Sequence, residues 1–93
     1  MPMFDFGHGP VPAHRHPNGG GWVADTACVA DTAYVGPGAL VYGAARLYGN
    51  ARVYGNAWVF GYARLYGNAR VYDNARVYGN AWVCAHARVL AMA

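Results

Sequence analysis

The sequence contains no lysine and no glutamate, so its charge is carried by seven arginines and four aspartates. The formal net charge is +3, which is modest for a nucleic-acid-binding domain. The charge is also uneven along the chain. From Leu40 onward there are six arginines and a single acid, Asp73, whereas Asp25 and Asp31 lie close together before it. We therefore expect an acidic beginning and a basic remainder.

Long apolar runs and secretion signals are also lacking. No stretch of about 18 apolar residues occurs, because an arginine or a Gly-Asn pair interrupts the pattern, and residues 1–6 lack the basic start of a secretory signal. Cysteine is scarce, and Cys28 and Cys84 are expected about 14 Å apart on the outside, too far for a disulfide within the chain. These features predict no membrane association and a location in the reducing cytoplasm.

A six-residue repeat runs without insertion or deletion from Trp22 to the C-terminus. Each of its twelve hexads has Val or Leu at one position and Ala four residues later. A unit this short cannot bury its own apolar face, so the units must stack as a solenoid. The aliphatic positions are Val23, Val29, Val35, Val41, Leu47, Val53, Val59, Leu65, Val71, Val77, Val83 and Val89.

The hexads predict short strands rather than helix. Gly in most hexads costs a helix about 1 kcal/mol each, and a period of six fits 3.6 poorly. The order Arg-Val-Tyr gives the outward, inward, outward alternation of a strand. Gly-Asn is a turn pair, and we expect its Asn to take the left-handed conformation.

The unit Val-Tyr-Gly-Asn-Ala-Arg, as from Val53 to Trp58 with Trp in place of Arg, resembles the hexapeptide repeat of left-handed parallel β-helix proteins. The resemblance covers residues 22–93. It implies an all-β, left-handed parallel β-helix with three hexads per coil and about four coils. The YGNARV units also look like repeats of uncharacterised bacterial and phage-associated hexapeptide proteins, a resemblance that implies a place in a phage particle as the alternative to the cytoplasm.

Residues 1–21 do not carry the repeat and are rich in Pro, Gly and His. We predict a separate N-terminal arm or cap that folds over the first coil, because an open β-helix exposes unpaired strand groups at its ends. Residues 22–93 form the β-helix. The C-terminal end carries no comparable segment, which favours head-to-tail stacking of copies.

Stacking every eighteenth residue puts the outward side chains into columns. One face aligns Arg52, Arg70 and Arg88 beside Tyr54 and Tyr72. A second face carries Arg46, Arg64 and Trp82 beside Tyr48, Tyr66 and Cys84, and the third carries Trp22, Leu40, Trp58 and Arg76 beside Tyr42, Phe60 and Tyr78.

Three interpretations of these columns stay open. Arginine and tyrosine could stack on one another and stabilise a thin solenoid. They could instead bind a phosphate-bearing ligand, a nucleotide or nucleic acid, through guanidinium groups and rings. The candidate residues are Arg46, Arg52, Arg64, Arg70, Arg88, Tyr54 and Tyr72. They could also form a protein interface, with Trp22, Leu40, Trp58 and Trp82 as the candidates for chain-to-chain packing.

The arm holds three of the four histidines, and His14-Arg15-His16 resembles the His-x-His pairs that bind iron in trimeric phage fibres and spikes. In a strand His14 and His16 point to the same side, so a trimer axis beside them could recruit a metal ion. The alternative is that these histidines are solvent-exposed or hydrogen-bonded in a polar loop.

Many hexapeptide-repeat proteins are trimeric acyltransferases with a histidine in the groove between prisms. The one histidine within the repeats is His86, and no loop is inserted between hexads. We therefore predict no enzymatic activity. The first hypothesis is a non-catalytic structural or interaction module, a homo-oligomeric component of a bacterial or phage assembly. The second is a binder of a phosphate-bearing ligand, and the third is an acyltransferase-like trimer.

Overall fold

A computed structural model of the chain describes residues 2–7 and 9–84 and the backbone of residues 88–89. The described residues form fourteen strands and no helix. The arm contributes β1 (Met3–Asp5) and β2 (Pro10–Arg15). The hexads contribute β3 (Trp22–Ala24), β4 (Cys28–Val29), β5 (Tyr34–Val35), β6 (Leu40–Val41), β7 (Arg46–Leu47), β8 (Arg52–Val53), β9 (Trp58–Val59), β10 (Arg64–Leu65), β11 (Arg70–Val71), β12 (Arg76–Val77), β13 (Trp82–Val83) and β14 (Arg88–Val89).

The twelve hexad strands stack as three parallel sheets, which we call walls. Wall 1 contains β3, β6, β9 and β12, wall 2 contains β4, β7, β10 and β13, and wall 3 contains β5, β8, β11 and β14. Each strand pairs with the strand eighteen residues further along, as Trp22 pairs with Leu40 and Leu40 with Trp58. The predicted all-β parallel solenoid with three hexads per coil is therefore confirmed.

The core is a narrow column of aliphatic and alanine side chains inside the three walls. Val53, Leu65 and Val71 are completely buried, as the repeat predicts. Val29 is an exception, since it is only partly buried. It lies on β4, the end strand of wall 2 in the first coil, so no further strand of that sheet covers it.

The corners between walls differ from the prediction in one respect. The left-handed residue of the Gly-Asn pair is the glycine and not the asparagine, as at Gly49 with a φ of 61°. A side chain would be crowded at Gly55 of such a pair, because a Cβ there would lie 2.9 Å from the backbone nitrogen of Asp73 in the next coil. The asparagine instead uses its backbone, and the Asn50 N–H donates to the Gly67 carbonyl at 2.9 Å.

The first coil builds two of its corners from Asp-Thr instead of Gly-Asn. The Thr26 hydroxyl donates to the Gly43 carbonyl at 2.5 Å, and the Thr32 hydroxyl donates to the Gly49 carbonyl. In each case a side-chain donor makes the contact to the next coil that the asparagine N–H makes elsewhere. The corner column therefore continues into the first coil despite the change of sequence.

The arm closes part of the N-terminal end of the solenoid. Strand β2 pairs antiparallel with β1 on one side and with β3 on the other, so the hairpin extends wall 1. The following loop covers wall 3, because the Val35 N–H donates to the Asn18 carbonyl at 3.0 Å and the Gly21 N–H donates to the Val35 carbonyl at 2.9 Å. Two of the three first-coil strands thus have partners in the arm, and β4 is the first-coil strand without one among the described residues.

Candidate functional site

Wall 3 carries the longest run of arginines. Tyr34, Arg52, Arg70 and Arg88 are successive partners in the sheet, so the predicted column is formed. The rings of Tyr54 and Tyr72 run beside it and stack on each other, with centroids 5.3 Å apart and planes 7° apart. The backbone of Arg88 continues the column, while its side chain lies outside the described residues.

Wall 2 combines arginine, tryptophan and thiol. Arg46, Arg64 and Trp82 stack in register below Cys28, and the Arg64 guanidinium lies 5.2 Å from the centroid of the Trp82 ring. Tyr66 packs edge-on against Trp82 at 6.3 Å. Desolvation, followed by the neighbouring Cys84, raises the pKa of Tyr66 above its ordinary value. Cys28 and Cys84 are both exposed and free, as expected.

Wall 1 carries a ladder of stacked rings on its outer surface. Phe6 of the arm stacks on Tyr42 at 4.9 Å, Tyr42 on Phe60 at 4.9 Å, and Phe60 on Tyr78 at 5.5 Å. Ala24 occupies the first-coil position of the column that holds Tyr42, Phe60 and Tyr78. The arm therefore supplies from Phe6 the ring that the hexad itself lacks.

The arm also covers the tryptophans that the sequence suggests for an interface. Trp22, Leu40 and Trp58 are partly buried and pack against an apolar cluster that includes Phe4 and Phe6. The Phe4 ring stacks on Trp22 at 4.9 Å, and the Arg15 guanidinium lies 4.7 Å from the same ring. Much of this predicted interface is thus occupied by the chain itself.

Trp82 differs from the other three tryptophan and leucine candidates, because it lies on wall 2 and is 62% exposed. The described part of the arm makes its ring contacts on wall 1. A role for these four residues in chain-to-chain packing stays a prediction. Trp82 is the one whose side chain is left accessible.

The expected arginine–tyrosine stacking takes another form. In the described part of the chain the cation–π contacts are between arginine and tryptophan, as for Arg76 over Trp58 at 4.6 Å. Arginine and tyrosine lie two residues apart on each strand and so occupy different columns, whereas stacking joins members of one column at a strand spacing of about 4.8 Å. The rings therefore stack on rings, and the guanidiniums of Arg15, Arg64 and Arg76 lie over tryptophans.

The arginines of walls 2 and 3 are not neutralised within the described structure. The one ion pair found among these residues joins His14 of the arm to Asp25 of the first coil. Arg46 and Arg64 on wall 2, and Arg52 and Arg70 on wall 3, are direct sheet partners of like charge. The two positive charges of each pair repel each other, so an anion placed between the two side chains would be stabilised.

The two candidate metal-binding histidines have separate partners. His14 Nδ1 lies 2.7 Å from a carboxylate oxygen of Asp25, and both side chains are about half-exposed. His16 is buried, and its Nε2 lies 2.7 Å from the Ala33 carbonyl oxygen, to which it donates in the matching tautomer. The residues that the structure describes contain no group of three or more histidine, cysteine or acidic side chains arranged to hold a metal ion. Metal binding by His14 and His16 stays a prediction.

Sequence reasoning missed the contribution of Phe4, Phe6 and Asn18. The arm has no periodicity from which their positions could be read. A usable signal was the absence of a ring at Ala24, where the later coils have Tyr42 and Phe60. An interrupted column predicts that some other residue fills it.

Burial and a neighbouring charge shift the pKa of Tyr42, at the centre of the wall 1 ladder, in opposite directions. Burial raises the pKa of the Tyr42 hydroxyl, and the Arg76 guanidinium opposes this by lowering it. Beside this ring a recess of about 310 Å³ opens between the arm and the wall 1 corner, and its lining includes Val11, Pro12 and Thr26.

The described chain has no helix of the length and apolar character that a membrane crossing requires.

Comparison with known proteins agrees with this architecture. The YdcK β-solenoid repeat matches residues 45–61, 63–74 and 69–85. The chain is a β-solenoid repeat protein. No curated protein and no solved structure matches it. The matched repeats of this β-solenoid include most of the arginine columns of walls 2 and 3, with Arg46, Arg52, Arg64 and Arg70 inside them.

Proposed function

We propose that the chain is a non-catalytic structural and interaction module that assembles with copies of itself, as a component of a bacterial or phage assembly. The observation that carries the proposal is the separation of charge between the acidic first coil and the arginine columns of walls 2 and 3. Asp25 and Asp31 lie in the first coil, whereas Arg46, Arg64 and Arg70 lie in later coils without an acidic partner in the described structure.

Side-by-side packing of two solenoids in opposite directions fits this separation. It brings the acidic first coil of one copy against the basic later coils of the other, which relieves the repulsion within the arginine columns. The exposed Trp82 ring on wall 2 supplies an anchor of the type enriched at interface centres. Head-to-tail stacking is less favourable at the N-terminal end, because the arm already bonds to β3 and β5.

Sedimentation velocity over a range of protein and salt concentrations tests this proposal. We expect a defined oligomer whose dissociation constant rises with salt, because the Debye length falls from about 10 Å at 0.1 M to about 3 Å at 1 M. Charge reversal of Arg64 and Arg70 to Glu should weaken assembly, and so should Asp31→Arg. Mixing the two variants should restore it, because each supplies the charge that the other lacks.

Arg76→Gln is the matched control, since Arg76 lies on wall 1 and stacks on Trp58. It should leave the oligomer unchanged. A protein that stays monomeric at every concentration, or an oligomer that salt does not affect, contradicts the proposal.

The finer assignment to the left-handed hexapeptide class is part of the same proposal. It is supported by three hexads per coil and by the inward Val/Leu and Ala positions of every described hexad. The hand of the coil is taken from the resemblance of the repeat. An experimental structure with a right-handed coil would overturn it.

A second candidate function, binding of a phosphate-bearing ligand, is favoured by the like-charged arginine pairs. Arg52 and Arg70 on wall 3 lie at strand spacing with the Tyr54 and Tyr72 rings alongside. Fluorescence anisotropy with a labelled single-stranded oligonucleotide at low salt tests it. Each phosphate contact contributes a slope of about −0.7 in a plot of log affinity against log salt. The Arg52→Gln/Arg70→Gln double variant should therefore bind more weakly with a slope reduced by about 1.4. Absence of binding at low salt contradicts this function.

A further inference from the structure

A recess of about 290 Å³ lies where the arm meets the first two coils at the corner between walls 2 and 3. Its lining residues are Asn18, Thr32, Tyr34, Asn50 and Arg52. These residues come from the arm, a corner and wall 3, so the docked arm completes the recess.

The solenoid register supplies four of the five lining residues. Thr32 and Asn50 occupy successive levels of one corner column, and Tyr34 and Arg52 are direct partners on β5 and β8. The fifth, Asn18, is held by its backbone, because its carbonyl accepts the Val35 N–H at 3.0 Å. Its side-chain amide also points toward this corner, with Nδ2 3.5 Å from the Thr32 carbonyl oxygen.

The lining is rich in hydrogen-bond donors and contains no carboxylate. The Arg52 guanidinium carries five N–H groups and the Asn50 amide two, whereas one of the two Asn18 amide N–H groups already donates to the Thr32 carbonyl. The Thr32 hydroxyl donates its hydrogen to the Gly49 carbonyl, so this hydroxyl is not counted among the donors offered to a ligand. A site with one fixed positive charge and several neutral donors favours an oxyanion over a cation or an apolar group.

We propose that this recess binds the phosphate group of a small phosphate monoester. Arg52 pairs with the phosphate oxygens, the Asn18 and Asn50 amides donate to the remaining ones, and the Tyr34 ring lies against the organic part. The donors approach from the arm, the corner and the wall 3 strand, which suits the three terminal oxygens of a monoester better than the two coplanar oxygens of a carboxylate. This inference deepens the second candidate function and rests on it, since it names where on wall 3 the phosphate sits.

Titration followed by NMR tests the recess directly on the full chain. The probes are a nucleoside monophosphate, inorganic phosphate and acetate at equal ionic strength. We expect saturable binding of the nucleoside monophosphate, with shifts of the Asn18 and Asn50 side-chain amide signals. Inorganic phosphate should shift the same signals at higher concentration, because it cannot contact Tyr34. Acetate should shift them least.

Arg52→Gln should weaken nucleoside monophosphate binding about tenfold or more, the effect expected for loss of a charge-assisted pair. Arg70→Gln removes the next arginine of the same column, which does not line the recess, and should weaken binding less than Arg52→Gln does. The matched control is Arg76→Gln, which removes a positive charge from wall 1, where Arg76 lies over Trp58. It should change the affinity less than about twofold, as expected for a charge beyond direct contact that salt screens. Asn18→Ala should weaken binding without changing the circular dichroism spectrum of the solenoid.

Equal losses of affinity in Arg52→Gln and Arg70→Gln would overturn the proposal that the recess is the binding site, since they would show that the whole arginine column attracts the phosphate diffusely. The phosphate-binding function of wall 3 would survive that result. Equal shifts with acetate would overturn the assignment to phosphate. Failure of both the monophosphate and the oligonucleotide to bind at low salt would overturn the recess and the wall 3 function together.

Discussion

At the scale of single residues, the corner glycines are the positions where the repeat is least tolerant of change. A Cβ on Gly55 would lie 2.9 Å from the backbone nitrogen of Asp73 in the next coil. Asp73 itself stands at the hexad position that holds glycine at Gly43, Gly49, Gly55, Gly61, Gly67 and Gly79, and its φ is 59°. It is the one described non-glycine residue with a positive φ, so it holds a conformation that costs an L-residue energy.

Asp73→Gly should therefore stabilise the protein by about 0.5–1 kcal/mol, because glycine adopts the left-handed conformation without steric cost. Urea unfolding measures the change. Asp73→Asn is the control, since it removes the same charge but keeps a side chain that tolerates the conformation. A glycine variant less stable than the asparagine variant would contradict this account of the corner.

Tyr42 gives a prediction about pH. Burial raises the pKa of its hydroxyl above the usual value of 10.0 in the folded state. Below about pH 9 the hydroxyl is protonated in both states and the free energy of unfolding does not depend on it. As the pH rises through 10 towards the folded pKa, the unfolded state loses the proton first, so stability falls by up to about 1.4 kcal/mol per pH unit.

Tyr42→Phe keeps the ring of the ladder and removes the ionising group. Its unfolding free energy should fall less steeply than that of the wild type between about pH 9 and pH 11. Tyr62→Phe is a suitable control, because Tyr62 is 66% exposed. Equal alkaline slopes for wild type and Tyr42→Phe would contradict the prediction.

At the scale of elements, the strands of the walls could be predicted, whereas for the arm the sequence predicts a cap over the first coil but not the contacts that hold it there. The inward positions follow from the unbroken Val/Leu and Ala phase, and the partners of Arg52 or Trp58 follow from a step of eighteen residues. The docking of Phe4 and Phe6 depends on contacts between segments with no shared pattern. The left-handed conformation was predicted for the asparagine of the Gly-Asn pair and belongs to the glycine. Both residues tolerate this conformation, and only the stacking of the coils decides between them.

The arm and wall 1 form one aromatic unit, and Phe6 is its most buried ring, with 5% of its surface exposed. Phe6→Ala should loosen the hairpin, because removal of a buried phenylalanine costs about 3–5 kcal/mol where the site cannot collapse. Hydrogen exchange of the Asp25 amide reports this directly, since its N–H donates to the Pro12 carbonyl at 3.0 Å. Faster exchange at Asp25 is expected, together with a lower melting temperature.

A second variant separates the contribution of the Phe6 ring to stability from that of the rest of the arm. Ala24→Phe in the Phe6→Ala background places a ring on the hexad itself, in the column of Tyr42 and Phe60. It should recover part of the melting temperature, whereas Ala24→Phe alone should destabilise because two rings compete for one space. Met3→Ala is the control on an exposed arm residue. No difference between the single and double variants would contradict the role given to Phe6.

At the scale of the whole molecule, stability grows along one axis, since each coil contacts the coils before and after it. The register of eighteen residues then has a consequence for internal deletions. Removal of residues 43–60 joins Tyr42 to Gly61 and brings Arg64 beside Cys28 and Tyr78 beside Tyr42. The inward phase, the corners and the ring column are all preserved. The protein should fold with a lower melting temperature and an m-value reduced by about a fifth, in proportion to the chain removed.

Removal of residues 43–51 takes out fewer residues but shifts the following hexads by half a repeat. Val53 and the later aliphatic side chains would then leave the inward positions, so the coils beyond the junction cannot form a buried column. Circular dichroism and urea unfolding of the two deletions should therefore diverge, with a single cooperative transition for the longer deletion and its loss for the shorter one. If the shorter deletion were the more stable, the chain would not be held together by an inward column with a fixed phase, and the assignment of arginines and rings to the walls would fail with it.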